Sequence, residues 1–190
     1  MVRAPAYGPR LRPGASRREA RRRAALQDHS FVFIHIPKTG GTSIRTALDF
    51  WSAHNHFTAR EIRQIYPESS GKFSFAFVRN PWDRLVSYGH SFTVPVDWDQ
   101  PNRFDRLDLR PQVDFILDDD GAPMVDFIGK FETLVEDFAT VCDMIGIATP
   151  PLPHANSTEH RQYRDYYDET TKQFVAVTYA ADIERFGYSF

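Results

Sequence analysis

A chain of 190 residues that is 42% hydrophobic and 14% aromatic holds enough apolar material for one real core and too little length for two full domains. Its single cysteine, Cys142, excludes an intramolecular disulfide and argues against a Cys/His zinc site. The net charge of −2 hides an asymmetry, because residues 1–28 carry eight arginines against Glu19 and Asp28, a balance of +6 that leaves the remainder at −8.

That first segment differs in kind from the rest. Pro5, Pro9 and Pro13 with Gly8 and Gly14 make its first half a poor helix, while "SRREARRRAALQ" can become one on contact with a partner. It reads as a basic, disordered extension over 1–28, followed by one domain over 29–190. An arginine tail also suits nucleic acid, an anionic membrane or an acidic partner. No stretch approaches about 18 consecutive apolar residues, and the N-terminus lacks the hydrophobic segment of a secretory signal, so the expectation is a soluble, cytoplasmic protein.

"FVFIHIPKTGGTS" opens the ordered part. Phe31 to Ile36 has the length and the β-branched and aromatic content of a buried strand. Pro37 has no N–H for a ladder, Gly40 and Gly41 permit left-handed angles, and Thr42 or Ser43 can cap a helix running to about Trp51, with Ile44, Leu48 and Trp51 on one face. "AREIRQIY" reads as a short helix. In "KFSFAFVRNPWDRLVSYGHSF" the alternation of Phe73, Phe75 and Phe77 marks a second strand, Asn80 can cap, and Pro81 suits a first helical position. Residues 124–130 suggest a third strand. Phe131, Leu134, Val135, Phe138, Cys142 and Ile145 fall at helical spacing and read as a core stripe. "ATPPLPHANST" is a loop, and "DETTKQFVAVTYAADIERF" a final helix with Val175, Tyr179, Ile183 and Phe186 on one side. Alternating strands and helices predict an α/β fold with a central parallel sheet and ligands at the carboxyl ends of its strands.

Two of those strand ends carry chemistry. The turn "PKTGGTS" offers consecutive backbone N–H groups, the hydroxyls of Thr39, Thr42 and Ser43, and the ammonium of Lys38, a nest for phosphate or sulfate. It is not the Walker loop, in which lysine follows the second glycine. At the second strand end stands Arg79, with Ser87 about two helical turns on. A guanidinium fork and a hydroxyl can clasp a second phosphate, so the two ends suit a nucleoside phosphorylated at both ends.

The pair "FIHIPKTGGTSI" and "FAFVRNPWDRLVSY", in that order and about 40 residues apart, resembles the two cofactor-binding motifs of the carbohydrate-type sulfotransferases, which include the heparan sulfate 2-O-sulfotransferases. The resemblance extends more weakly through "VDFIGKFETLVEDF" and the closing segment, covering roughly residues 29–190. It implies a three-layer, P-loop-like α/β fold and 3′-phosphoadenosine-5′-phosphosulfate (PAPS) as donor. Its 5′-phosphosulfate falls to Lys38, Thr39, Gly40, Gly41, Thr42 and Ser43, and its 3′-phosphate to Arg79 and Ser87. Animal Golgi members begin with a membrane anchor that this chain lacks, which favours a bacterial member. The acceptor implied is a hydroxyl, with a saccharide the first candidate and no metal expected.

Transfer to a hydroxyl needs a base. His54 and His56 in "AHNHFTAREIR" lie two residues apart, and a neutral imidazole accepts a proton near pH 7. The stretch resembles the His-x-His segment that precedes the second motif in the 2-O-sulfotransferases, which favours His56 as base with His54 as partner. Glu61 is the alternative, and His35, inside the first strand, reads as structural. "TVPVDWDQPNRFDRLDLRP", with Trp98, Arg103, Arg106 and Arg110, has the character of a substrate-covering loop. Two other classes fit less well: a P-loop kinase, which would show a Walker lysine and an Asp-terminated strand, and a non-catalytic module that binds anions through the loop and nucleic acid through the tail.

Overall fold

A computed structural model describes residues 29–50, 56–92, 109–153 and 162–190. The arginine-rich segment, Trp51, His54 and the loop residues Trp98, Arg103 and Arg106 lie outside these. Strand β1 (Phe31–Ile34) leads into helix α1 (Gly41–Ala47), and helix α2 (Ala59–Ile65) precedes a 3₁₀ turn at Pro67–Ser69. Strand β2 (Phe73–Val78) runs into helix α3 (Pro81–Phe92), then come the one-turn helix α4 (Val113–Ile116) and strand β3 (Phe127–Lys130). A 3₁₀ turn (Phe131–Thr133) opens helix α5 (Leu134–Ile145), and another (Tyr163–Tyr166) precedes helices α6 (Glu169–Thr178) and α7 (Ala180–Phe186).

The three strands pair in parallel in the order β1-β2-β3, with Phe33 opposite Phe75 and Phe77 opposite Gly129. Successive side chains point to opposite faces. One face is therefore aliphatic, built from Val32, Ile34, Ala76 and Val78 against Ile62 and Tyr66 of the α2 region and Phe115 and Ile116 of α4. The other is aromatic, with Phe31, Phe33, Phe75 and Phe77 packed on Ile44 of α1 and on Phe138, Val141 and Cys142 of α5. Helices on both faces of a parallel sheet give the α/β fold and its three layers. A third cluster joins Trp82 and Leu85 of α3 to Leu109, Val175 and Tyr179. Among the described residues no helix is long and apolar enough to cross a membrane.

Several sequence-based boundaries shift for physical reasons. The β1 ladder stops at Ile34, opposite Ala76, before His35. Helix α1 begins at Gly41 with left-handed Gly40 at its N-cap (φ 84°) and no side-chain cap bond, so neither Thr42 nor Ser43 caps it. It ends at Ala47, and Asp49 takes a left-handed φ of 46° two residues later. Val135, expected in the core stripe of α5, is exposed, because that stripe is wider than the face that meets the sheet. The closing helix is two, broken at Tyr179, whose hydroxyl donates to Leu109 O at 2.6 Å.

Gly129 marks the tightest point of the aromatic face, since a Cβ there would stand 2.5–2.9 Å from three carbons of the Phe77 ring. Gly129→Ala is expected to destabilise the protein by about 1–3 kcal/mol through overpacking. A urea unfolding midpoint equal to that of the wild type would show that the Phe77 ring gives way freely.

Candidate functional site

The carboxyl ends of all three strands converge on one open cleft of about 620 Å³. His35, Pro37, Lys38 and residues 40–43 follow β1, Arg79 follows β2 and Phe131 follows β3, and all border it. Ser87 and Tyr88 reach it from α3, while Leu134, Val135 and Phe138 of α5 with Pro150–Pro153 form an apolar wall. The structure thus brings together both halves of the expected anion site, although about 40 residues separate them in sequence.

The loop after β1 is held from outside. Thr39 is fully buried, and its hydroxyl donates to Ile36 O at 2.9 Å, so it braces the turn. Lys38 takes a left-handed φ of 69°, unusual for a residue with a Cβ. Its carbonyl accepts from Arg79 Nη1 at 3.2 Å. Burial, and secondarily the Arg79 charge, push the Lys38 ammonium below its ordinary range. Gly40 must be glycine twice over, since its φ is 84° and a Cβ would press on Leu134 and Phe131 at 3.1–3.2 Å. A Cβ on Gly41 would collide with the His35 ring.

Arg79 is less available than an isolated fork. Its Nε donates to Asp83 Oδ2 at 2.8 Å across one helical turn, and its guanidinium stacks on the Phe131 ring at 3.9 Å. With one Nη1 N–H on Lys38 O, the second Nη1 N–H and both N–H groups of Nη2 are not bonded to the described residues, and together they can clasp an anion. The backbone of Arg79 is pinned by Gln112, which accepts from its N–H and donates to its C=O, both at 2.8 Å. Gln112 is completely buried and is held in turn by Asp182, also buried, whose carboxylate accepts from the N–H groups of Gln112 and Val113 at 2.9 Å. Burial pushes the Asp182 carboxyl up, while those donors and the Arg84 charge pull it back. Neither Gln112 nor Asp182 was legible as part of the site, because nothing local distinguishes them from surface polar residues.

His56 borders the cleft with a left-handed φ of 60° and meets the His35 ring edge-on, centroids 5.0 Å apart. His35 is therefore not simply a strand residue. Burial, then the charges of His56, Arg45 and Lys38, lower its pKa to about 3, which leaves it neutral at physiological pH. Glu61 does not border the cleft; its carboxylate accepts from the Thr58 N–H at 2.8 Å and closes the capping box of α2, with Arg110 at 3.9 Å. Arg110 stacks on Phe115 at 4.3 Å and donates to His56 O at 3.4 Å.

The cleft can accept an anion at the loop, a second one near Arg79 and Ser87, and a flat apolar group along Leu134, Val135 and Phe138. Among the described residues no group of three His, Cys, Asp or Glu side chains is placed to hold a metal ion. Residues 24–90, which include β1, the loop, β2 and most of α3, match the model of the sulfotransferase family. No curated protein and no solved structure matches the chain.

His35 yields a pH prediction. Because its folded pKa lies below the unfolded value of 6.5, the unfolded chain binds more protons in between, and the stability it contributes is present above pH 6.5 and lost as the pH falls toward 3. His35→Gln is expected to flatten the fall in unfolding free energy between pH 7 and pH 5. An unchanged slope in urea titrations at the two pH values would mean that His35 protonates freely in the folded state.

Proposed function

We propose that this chain is a PAPS-dependent sulfotransferase that moves a sulfuryl group to an acceptor hydroxyl. The observation that supports this most is the meeting of the loop at Lys38–Ser43 and the Arg79/Ser87 pair in one cleft, within the segment that matches the sulfotransferase family. The residues fit the donor. The loop takes the 5′-phosphosulfate, Arg79 and Ser87 take the 3′-phosphate, and the α5 wall offers the base an apolar face. The kinase reading has less support, since Lys38 precedes both glycines where a Walker lysine would follow them.

The acceptor oxygen attacks sulfur, its proton passes to His56, and the bond between sulfur and the 5′-phosphate oxygen breaks to leave 3′,5′-adenosine bisphosphate. His56 serves as general base from the rim of the cleft. Neutral His35 beside it adds no repulsion to the imidazolium that forms. Negative charge collects on the departing phosphate, where Lys38 and the N–H groups of the loop supply preorganised stabilisation. The acceptor proposed is a carbohydrate hydroxyl, on the resemblance to the 2-O-sulfotransferases. Residues 1–28 are proposed to stand outside the catalytic unit.

His56→Ala is expected to lower the transfer rate by about 10² to 10⁴ while nucleotide affinity stays nearly intact, as for a base remote from the donor phosphates. Full turnover across pH 6 to 8 would exclude His56 as the base.

The nucleotide itself gives the direct test. Calorimetry is expected to show 3′,5′-adenosine bisphosphate binding far more tightly than 5′-AMP or ATP, without magnesium. Arg79→Ala is expected to erase that preference at a cost on the order of 2 kcal/mol, about 30-fold in affinity. Equal affinity for ATP and the bisphosphate, or binding that requires magnesium, would favour a kinase instead.

A further inference from the structure

Three successive carbonyls at the start of the anion loop each accept a hydrogen bond from a side chain. Ile36 O receives Thr39 Oγ1 at 2.9 Å, Pro37 O receives Arg84 Nε at 3.0 Å, and Lys38 O receives Arg79 Nη1 at 3.2 Å. No peptide bond in the described chain is cis, so in each planar unit the N–H points opposite to the carbonyl. Fixing Pro37 O and Lys38 O toward the arginines therefore turns the N–H groups of Lys38 and Thr39 away from them. Loops that bind anions through their backbone need this presentation of successive N–H groups. It does not arise unaided here, because the left-handed φ at Lys38 is disfavoured for a residue with a Cβ and needs its surroundings to hold it.

Arg84 differs from the other two donors. It is 1% exposed and does not border the cleft, whereas Arg79 does. From the first turn of α3 its Nη1 also donates to Arg110 O at 3.0 Å, so one guanidinium joins the donor loop to the segment that carries Gln112. Gln112 in turn grips the backbone of Arg79. A buried cation is costly unless its charge is offset and its N–H groups are bonded. The Arg84 charge in turn counters the burial that pushes the Asp182 carboxyl up.

We propose that Arg84 is a positioning residue for the donor's 5′-phosphosulfate: by holding Pro37 O and Arg110 O it sets the backbone donors of the loop and keeps that loop in register with Arg79. This rests on the sulfotransferase reading only in identifying the anion that the loop takes. The assignment separates Arg84 from a residue that merely stabilises the fold, because it predicts a loss confined to one end of the nucleotide.

The test compares two ligands on the full chain. Affinities for 3′,5′-adenosine bisphosphate and for adenosine 3′-monophosphate, which lacks the 5′-phosphate, are measured by calorimetric or thermal-shift titration for the wild type, Arg84→Gln and Arg84→Lys. Arg84→Gln is expected to weaken the bisphosphate at least tenfold while the 3′-monophosphate stays within twofold. Arg84→Lys, which keeps the charge and can reach one of the two carbonyls, is expected to fall between wild type and Gln. Bisphosphate affinity equal to the wild type in both variants would overturn the proposal, as would a parallel loss for both ligands. Should Arg84→Gln fail to fold, the Lys variant decides by the same criterion, and failure of both to fold would make Arg84 a residue of the fold and overturn its positioning role. A wild type that does not prefer the bisphosphate to ATP would instead sink the sulfotransferase reading.

Discussion

The site depends on how the chain leaves β1. Past Ile34 the backbone gives up its ladder, yet Ile36 and Pro37 remain buried and Lys38 is half-buried, so their carbonyls must find donors other than a neighbouring strand. Those donors come from the next strand–helix unit: Arg79 at the end of β2 and Arg84 in α3 each hold a carbonyl of the loop, while Thr39 closes the turn on itself. An orphaned buried carbonyl would cost about 1–3 kcal/mol. The arginines thus answer a backbone requirement of the fold, and in the proposed function the conformation they enforce would present donors to an anion.

A second layer supports the first. Gln112 brackets the peptide groups of Arg79 and rests on Asp182, which caps the single turn of α4 from across the fold. Charge enters this layer through Arg79, which is paired to Asp83. Polar groups buried this thoroughly tolerate little displacement, because each lost partner leaves another unsatisfied. Rigidity at the carboxyl edge of the sheet follows from that network, and the apolar wall from α5 and Pro150–Pro153 closes the cleft's other side.

The histidines illustrate how burial changes a residue's role. His35 sits one step beyond the ladder, wedged against Gly41 and the His56 ring, and the loss of solvation there outweighs any benefit of charging it. Neutral His35 thus meets the His56 ring without a charge of its own. Glu61, closer to His56 in sequence than His35 is, is consumed by the capping box of α2.

Much of the fold was legible in the sequence. Apolar alternation at Phe73–Phe77 located β2 to the residue, and the Asn80-Pro81 pair located the start of α3. These are local signals, set by side-chain periodicity and backbone angles within a few residues. The helix start after "PKTGG" was misread because two hydroxyl residues suggested a side-chain cap, whereas the left-handed Gly40 performs the turn alone. The turn glycine legible in the sequence is Gly40, whereas Gly41 opens α1 without a left-handed angle, and the room it leaves for the His35 ring was not legible. Tertiary structure alone decided the rest: the partners of Arg84, Gln112 and Asp182, the exposure of Val135, and the contact of His35 with His56. Each depends on which distant carbonyl, ring or carboxylate packing brings within about 3–5 Å, and hydrogen bonding and desolvation act only over such distances.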